Sequence, residues 1–295
     1  MSDSETKLAD QRGKFTQVVK DGHTVPEIEW IAGRILLSNK RVVLVGKQGK
    51  RTIPLSKIRS VKSRKDAPNP LAQVSSYVSL QVGQDVTLVS PQHHAEFEQA
   101  LYSAVLDQEV VAVKHPAVEG GVVQSTPWAK GRVTLEFENV EQTEHGTVAL
   151  ATADGQFVEV EIHDVATIVE KEGEVLDEKR FIIEVEHTVA ATAVETHISG
   201  TKSTVAILAS LLRRGEQQNT VDVDLSEAET EVLMALYSGV SPFQIPEFIG
   251  MDIERVEDIY DQLIEEGILK ERHVRREVTL KARGRHVASE AMGRE

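Results

Sequence analysis

The sequence predicts an α+β protein: two tandem pleckstrin-homology-like β-barrels, each closed by a C-terminal helix, followed by a winged helix-turn-helix. Three observations favour this class: short runs of alternating apolar residues at the start of the chain, a second copy of the same order of patterns, and helical patterns with a final hairpin after it. We expect domains at 13–108, 109–215 and 225–295, with a disordered segment over 1–12 and a linker over 216–224.

The first predicted barrel contains seven runs in which apolar and polar residues alternate, which is the period of a half-buried strand. Glycine and asparagine, which tolerate positive φ, interrupt the pattern at the expected hairpin turns. The predicted strands are 14–19, 30–37, 41–45, 50–55, 58–63, 77–82 and 86–89. The period then becomes helical, with Phe97, Leu101 and Val105 on one face, so we expect a helix that closes the barrel.

The same order recurs over residues 109–215, and this repeat is the strongest architectural signal in the chain. Residues 162–168 carry apolar side chains at the same three positions as residues 55–61, and a long hairpin and a helix follow them. The two copies differ in charge, since residues 1–108 carry a net +4 and residues 109–220 carry −10. We therefore expect one scaffold that presents two opposite electrostatic surfaces.

The third domain follows the polar linker and begins with a capping box, Ser226 and Glu229, at the start of an amphipathic helix. A short second helix near Pro242 and a third helix capped by Asp252 are expected next. A β-hairpin over 269–280 and a last helix complete the chain. Helix, short helix, helix and hairpin is the order of a winged helix-turn-helix.

Composition excludes several classes of protein. The chain has 47 acidic and 33 basic residues, a net charge of −14 and no cysteine, so disulfides, thiolate metal sites and cysteine nucleophiles are absent. Such an acidic surface suits a high-salt cytoplasm, although ordinary acidic proteins overlap this composition. The sequence contains neither an apolar run of about 18 residues nor a signal peptide. We expect a soluble cytoplasmic protein without membrane insertion.

Catalytic chemistry has little support in the sequence. The ten histidines lie mostly singly on polar stretches, and His93-His94 has no acidic partner at metal-ligand spacing. The glycines and lysines of 46–50 lack the spacing of a phosphate-binding loop, and a hairpin tip explains them. We therefore expect surface histidines, no enzyme activity, no metal and no cofactor.

The winged helix raises the alternative of a transcription regulator that binds DNA. The third helix of the domain, residues 252–267, carries seven acids and one cation, Arg255, so phosphates would repel it. The expected wing does carry Arg272, Arg275 and Arg276, which leaves weak contact with DNA open. Charge thus argues against specific nucleic-acid binding, and an acidic solvated face explains the helix as well as a protein-binding role does.

A run of cations without any acid is the main functional signal. From Arg34 to Lys65 there are eleven Lys or Arg residues and no Asp or Glu. Solvated strand edges, an anionic lipid surface and an acidic protein partner are three interpretations, and the partner is favoured because the run forms a steering field. The candidate protein-binding residues are Arg34, Lys40, Arg41, Lys47, Lys50, Arg51, Arg272, Arg275 and Arg276.

Residues 33–44 (GRILLSNKRVVL), 52–55 (TIPL) and 241–248 (SPFQIPEF), in this order of domains, resemble the archaeal taxis protein CheF family. The acidic composition is similar to that of haloarchaeal members. The resemblance implies an adapter that links the response regulator CheY, and the CheC and CheD proteins, to the archaellum motor switch and its accessory proteins in chemotaxis and phototaxis. It implies no catalytic residues. It carries no map of binding residues, so the sites above follow from charge.

Overall fold

The structure is a computed structural model that describes residues 4–63, 76–138, 143–190, 192–219 and 225–270. The chain forms two compact units, Met1–Val223 and Asp224–Glu295. Both predicted barrels therefore belong to a single compact unit, and the separate boundaries predicted for them stay predictions. The α+β class is confirmed, with two β-sheets in the first unit and helices in the second.

Each sheet has the same strand order. The first follows β5-β4-β3-β1-β8-β7-β6 with β2 paired to β1, and the second follows β13-β12-β11-β9-β16-β15-β14 with β10 paired to β9. The first sheet comprises β1 (Lys7–Lys20), β2 (His23–Thr24), β3 (Ile31–Ser38), β4 (Arg41–Gly46), β5 (Gly49–Pro54), β6 (Ile58–Ser63), β7 (Val78–Val82) and β8 (Asp85–Pro91). The second comprises β9 (Val110–Glu119), β10 (Val122–Val123), β11 (Ala129–Phe137), β12 (Gly146–Thr152), β13 (Phe157–Glu161), β14 (Thr167–Val175), β15 (Glu178–Val189) and β16 (Thr192–Gly200). The internal repeat predicted from sequence is confirmed in the topology.

A helix follows the last strand of each sheet, α1 (His94–Leu106) and α2 (Lys202–Asn219). The apolar faces predicted for both are buried, with Phe97, Leu101, Leu208 and Leu212 fully inaccessible. One hydrophobic cluster runs through both sheets and both helices. Because α2 packs on β6 of the first sheet as well as on its own sheet, the two copies share a core.

The prediction of disorder over residues 1–12 is wrong for its described second half, since β1 begins at Lys7. This strand is central in its sheet and pairs with β3 from Lys7 to Phe15 and with β8 from Gly13 to Val19. Ala9 is the only buried residue among the first six of this strand, so the segment lacks the apolar alternation that indicates a strand. Backbone pairing on the β3 side, rather than apolar burial, orders it.

The second unit contains α3 (Glu227–Tyr237), α4 (Ile245–Ile249) and α5 (Ile253–Glu265), with a 3₁₀ turn over Pro242–Gln244 before α4. The predicted capping box is confirmed: Ser226 Oγ accepts from Glu229 N, and Glu229 accepts from Ser226 N. Among the described residues of this unit, the buried core consists of Val232, Ala235, Ile245, Val256, Ile259 and Leu263. The predicted hairpin and last helix, with Arg272, Arg275 and Arg276, lie outside the described residues, so the winged helix-turn-helix stays a prediction.

No helix in the described part of the chain is long and apolar enough to cross a membrane.

Candidate functional site

The six predicted binding cations of the first copy lie on β3, β4, β5 and the turns that join them. Arg34 is on β3, Arg41 begins β4, and Lys50 and Arg51 are on β5. The β4–β5 register places Lys50 opposite Val45 and Arg51 opposite Leu44. The structure therefore brings these cations to neighbouring strands at one edge of the sheet, as the hairpin pattern predicts.

Carboxylates from elsewhere in the chain pair with two of these arginines. Arg34 donates to Asp10 from Nε (2.6 Å) and Nη2 (2.7 Å), and Arg41 donates to Glu5 from Nε (2.7 Å) and Nη2 (2.6 Å). These hydrogen bonds hold the pKa values of both carboxyl groups below their ordinary values. Two-pronged guanidinium–carboxylate pairs are the strongest form of such contacts. Through these pairs, Arg34 of β3 and Arg41 of β4 contact the N-terminal segment that contains Glu5 and Asp10.

Arg51 is also engaged within the chain. Its Nη1 donates to Gln17 Oε1 at 2.9 Å, and its Nη2 lies 3.6 Å from Asp85 Oδ2. Lys47 and Lys50 are exposed and make no ion pair with any residue that the structure describes. The positive charge available to a partner at this edge of the sheet is therefore smaller than the count along the sequence indicates. The unpaired cations lie on the β4–β5 hairpin.

A second basic cluster, which combines two cations of the run from Arg34 to Lys65 with two from the second copy, lines a cleft between the two copies. The cleft has a volume of about 520 Å³ and lies between β6 of the first sheet and α2. Arg59 and Lys62 of β6 line one side, and Lys202 and Arg213 of α2 line the other. We name this feature the interdomain cleft, after the two predicted barrel domains on either side of it, both of which lie in the first compact unit. Its cations lie up to 154 positions apart in the numbering, so no local pattern could reveal it.

Local structure explains why these side chains face the cleft. Lys202, Ala206, Ser210 and Arg213 are spaced by three or four residues, so they share one face of α2. On β6 the pairing register with β7 shifts between Ile58 and Ser60. Such a bulge breaks the strict alternation of a strand and re-aims its side chains. As a result, Arg59 and Lys62 are both exposed at the cleft.

A buried ion pair holds α1 and α2 together. Arg214 of α2 donates through Nη2 to Glu98 of α1, and only 11% of the Arg214 side chain and 2% of the Glu98 side chain are exposed. The Arg214 guanidinium lies over the Tyr102 ring, 5.6 Å from its centroid. His94 Nε2 lies 3.7 Å from Glu98, and burial lowers the pKa of His94.

The histidines of the second sheet correct the expectation that every histidine lies on the surface. His187 is 2% exposed, and its Nε2 is 2.8 Å from Thr196 Oγ1. His115 Nδ1 approaches the same hydroxyl at 2.7 Å, and the two imidazole rings stack at 6.1 Å. Burial first, and then the neighbouring His115, lower the pKa of His187 to about 4. One hydroxyl thus joins two neutral rings inside the sheet.

His187 should make the first unit sensitive to acid. Its pKa is near 6.5 in an unfolded chain and about 4 in the folded protein. The unfolded state therefore binds a proton first, so stability falls as pH decreases through 6.5 and the contribution of this residue is lost by about pH 4. We expect a loss of about 3 kcal/mol from this group over that window. Urea unfolding at several pH values measures it.

The variant His187→Gln is the matched control for this pH dependence, because glutamine can still bond to the Thr196 hydroxyl but does not titrate. Its stability should change less between pH 6.5 and pH 4 than that of the original protein. Equal slopes in the two proteins would contradict the assignment to His187.

A further histidine lies between two carboxylates, contrary to the expectation from spacing. His197 Nε2 is 3.0 Å from Glu184 Oε1 and 2.6 Å from Glu195 Oε1. These three side chains are mutually close enough to hold a metal ion. Lys171 Nζ also contacts Glu184, which compensates part of the negative charge without an ion. Cross-strand pairing of Glu184 with His197 produces the cluster, and single-strand spacing could not indicate it.

The described part of the second unit combines an acidic helix with exposed apolar side chains. Most acids of α5 are exposed, as the charge count predicts. The exposed fractions of Phe243, Phe248 and Met234 are 77%, 65% and 65%. Ile253, on the apolar face of α5, is also 65% exposed, because it is the first residue of the helix and lies beyond the small core. Large exposed apolar groups beside charge are typical of protein-binding surfaces.

The two copies carry opposite net charge and the second unit exposes large apolar side chains, and comparison with known sequences identifies the family. Residues 7–218 match the family model described as archaeal chemotaxis signal transduction system protein F. Residues 224–293 match a domain of unknown function, DUF8579. The chain belongs to the archaeal chemotaxis protein F family. This is a chemotaxis signalling family and not a known enzyme family.

Two curated relatives come from Halobacterium salinarum. The chain is 46% identical to taxis protein CheF1 over 298 aligned positions, which cover 100% of both chains. It is 24% identical to taxis protein CheF2 over 287 positions, which cover 90% of this chain and 91% of the relative. The family resemblance stated from sequence is confirmed, and the family indicates a role in archaeal chemotaxis.

Proposed function

We propose that this protein is a non-enzymatic adapter in archaeal chemotaxis and phototaxis. It connects the response regulator CheY, and the CheC and CheD proteins, to the archaellum motor switch by protein–protein contacts. The observation that carries the proposal is the match to a taxis protein along the whole chain. Two copies of one topology with opposite net charge support it, because they offer distinct surfaces to different partners.

Each sheet with its following helix serves in this proposal as a pleckstrin-homology-like module. The strand order supports it, since the long first strand of each sheet pairs with the third strand (β3 or β11) and with the last strand (β8 or β16), and a helix follows. The second unit serves as a winged helix used for protein contacts. The short α4 between α3 and α5 supports the helix-turn-helix part.

The tip of the β4–β5 hairpin is the proposed receiver of an acidic partner. Lys47 and Lys50 are exposed there, whereas Lys40 lies in the β3–β4 turn at the other end of β4. Arg34 and Arg41 are less suitable, because their guanidinium groups already bind Asp10 and Glu5. The proposal therefore moves the centre of the predicted interface from the arginines to the lysines.

Replacing Lys47 and Lys50 by Glu together is expected to weaken binding of the acidic partner about tenfold at low salt. The reduction should be smaller at about 1 M KCl, where the Debye length is about 3 Å. Affinity is measured with purified CheY by biolayer interferometry at both salt concentrations. Reversal of Lys14 and Lys130, which are exposed and form no ion pair with any described residue, is the matched control.

Unchanged affinity in the Lys47→Glu/Lys50→Glu variant would show that this hairpin is not the interface. The adapter role itself is tested by purifying the tagged full-length protein from its host at native salt and identifying bound proteins by mass spectrometry. Recovery of taxis and archaellum proteins is expected. Their absence would contradict the adapter role whatever the position of the interface.

Regulation of transcription through the second unit has no supporting observation among the described residues. The exposed face of α5 is acidic, so it would meet the phosphates of a DNA groove with like charge. A gel-shift experiment should therefore show no sequence-specific complex. Enrichment of defined operator sites in genomic immunoprecipitation would support a transcription regulator and contradict the adapter proposal.

A further inference from the structure

The interdomain cleft lies apart from the β4–β5 hairpin in the sequence, and the adapter proposal does not use it. We propose that this cleft is a binding site for a phosphate-type oxyanion that carries two or more negative charges. Its volume of about 520 Å³ falls within the usual range for small-ligand sites and exceeds what a single monatomic ion needs.

Charge is the first support for an anion. Arg59, Lys62, Lys202 and Arg213 line the cleft, whereas its described lining residues include one carboxylate, that of Glu170. This local excess occurs in a chain whose net charge is −14. Cations that approach one another from two elements repel each other, and an anion bound between them offsets this repulsion. The cleft is therefore an electrostatically favourable place for a multiply charged anion.

The pairing of these cations within the chain is incomplete. Arg213 Nη2 donates to Glu170 at 2.5 Å, and Lys202 Nζ lies 5.0 Å from the centre of the Phe181 ring. Arg59 and Lys62 form no ion pair with any residue that the structure describes. Arginine with lysine is the combination that proteins use for phosphoryl oxygens, because the guanidinium supplies paired donors and the ammonium a compact charge.

A buried hydroxyl is the second and independent support. Ser210 lines the cleft, is 4% exposed, and its Oγ has no hydrogen-bond partner among the residues that the structure describes. A buried hydroxyl without a partner costs stability, so most such groups in folded proteins are satisfied. The Oγ itself is inaccessible in this structure, so the Ser210 side chain must rotate about χ1 to donate a hydrogen bond to an oxyanion in the cleft. The unsatisfied donor therefore indicates a ligand, whereas surface lysines alone would not.

Uncharged donors complete the lining. Ser60 and Gln81 approach from the first sheet, and Ser203 and Gln217 approach from α2. Such groups bond to oxyanions without adding charge, and their placement along the cleft suits an anion longer than one phosphate. Pyrophosphate groups, whether free or part of a larger small molecule, match this chemistry.

The test is calorimetric titration of the full-length protein at constant ionic strength with two probes. Inorganic pyrophosphate represents a free phosphoanion, and N-acetyl-phosphoserine amide represents a phosphorylated side chain. Binding of either probe to the original protein is expected, and the tighter of the two identifies the source of the anion. No measurable binding of either would overturn the proposal.

The variant Arg59→Gln/Lys62→Gln locates the site. These side chains are exposed and have no ion-pair partner in the described residues, so the melting temperature should be unchanged while affinity for the probe falls at least tenfold. Lys14→Gln/Lys20→Gln, at two exposed lysines of β1 that form no ion pair with any described residue, removes the same charge elsewhere and should leave affinity within about twofold. An equal loss in both variants would indicate non-specific attraction and would overturn the site.

Ser210→Ala separates a binding role from a structural role. Removal of an unsatisfied buried hydroxyl should leave the protein equally or more stable, whereas loss of a donor to the anion should weaken binding several-fold. Unchanged affinity in this variant would contradict the role assigned to the hydroxyl.

Discussion

Replacement of Glu98 by Ala is expected to lower the free energy of unfolding of the first unit by about 3–5 kcal/mol. The change leaves the Arg214 guanidinium, whose side chain is only 11% exposed, without its carboxylate between α1 and α2. A buried charge that loses its partner keeps its full desolvation cost. Urea unfolding followed by circular dichroism measures the effect through the transition midpoint.

The pair formed by Asp10 and Arg34 is the matched control for this prediction. It also joins a guanidinium to a carboxylate, through two hydrogen bonds from Arg34, but the Arg34 side chain is 62% exposed, so solvent screens the interaction. Asp10→Ala should therefore cost much less than Glu98→Ala. Replacement of both buried partners, as Glu98→Leu/Arg214→Met, should recover much of the lost stability because no unpaired charge remains. Equal effects of Glu98→Ala and Asp10→Ala would contradict the prediction.

Replacement of Gly215 by Ala is expected to destabilise the first unit by about 3 kcal/mol or more. A Cβ atom at Gly215 would lie 1.6 Å from the Ile162 carbonyl oxygen, where α2 packs on the 3₁₀ turn Ile162–Asp164. A backbone atom cannot rotate away, so α2 must shift. Helix propensity alone predicts the opposite sign, since Ala is about 1 kcal/mol better than Gly inside a helix.

Gly200→Ala is the matched control, because a Cβ there would meet its nearest neighbours, Thr204 and Val111, at an ordinary 3.5 Å. This variant should unfold within about 1 kcal/mol of the original protein. If Gly215→Ala were as stable as Gly200→Ala, the close approach of α2 to the turn would be wrong.

Several local features could be predicted from short stretches of sequence. The capping box at Ser226 and Glu229 forms as expected, because capping involves only residues three apart. The apolar faces of α1 and α2 are buried for the same reason, since helical spacing places their side chains together. Strand alternation likewise indicated β3, β4 and β5, although their ends differ by a few residues.

The start of β1 shows where local patterns lose information. Residues 7–12 are polar and have little apolar alternation, so they resemble a disordered terminus. Their order comes from backbone pairing with β3 and from the contacts of Asp10 and Glu5 with arginines more than 20 positions away. A strand whose partner is distant in the chain leaves little trace in its own composition.

The candidate site also has some features that the sequence shows and others that only folding produces. The run of cations after Arg34 is visible in the sequence, but which of them are already paired is not, because Asp10, Glu5 and Asp85 lie outside that run. The interdomain cleft and the buried histidines were likewise missed, since β6 meets α2 and His187 meets Thr196 only after folding.

Read alone, the amino-acid sequence established the family, the internal repeat, the charge of each copy and the main helices, because each is recorded in composition or in the spacing of neighbouring residues. Folding in three dimensions established the shared core, the Glu98–Arg214 pair, the packing at Gly215 and the cleft that contains Ser210. These features depend on contacts between distant segments. Whether a charge is paired, or a glycine can accept a methyl group, follows from what those segments place beside it.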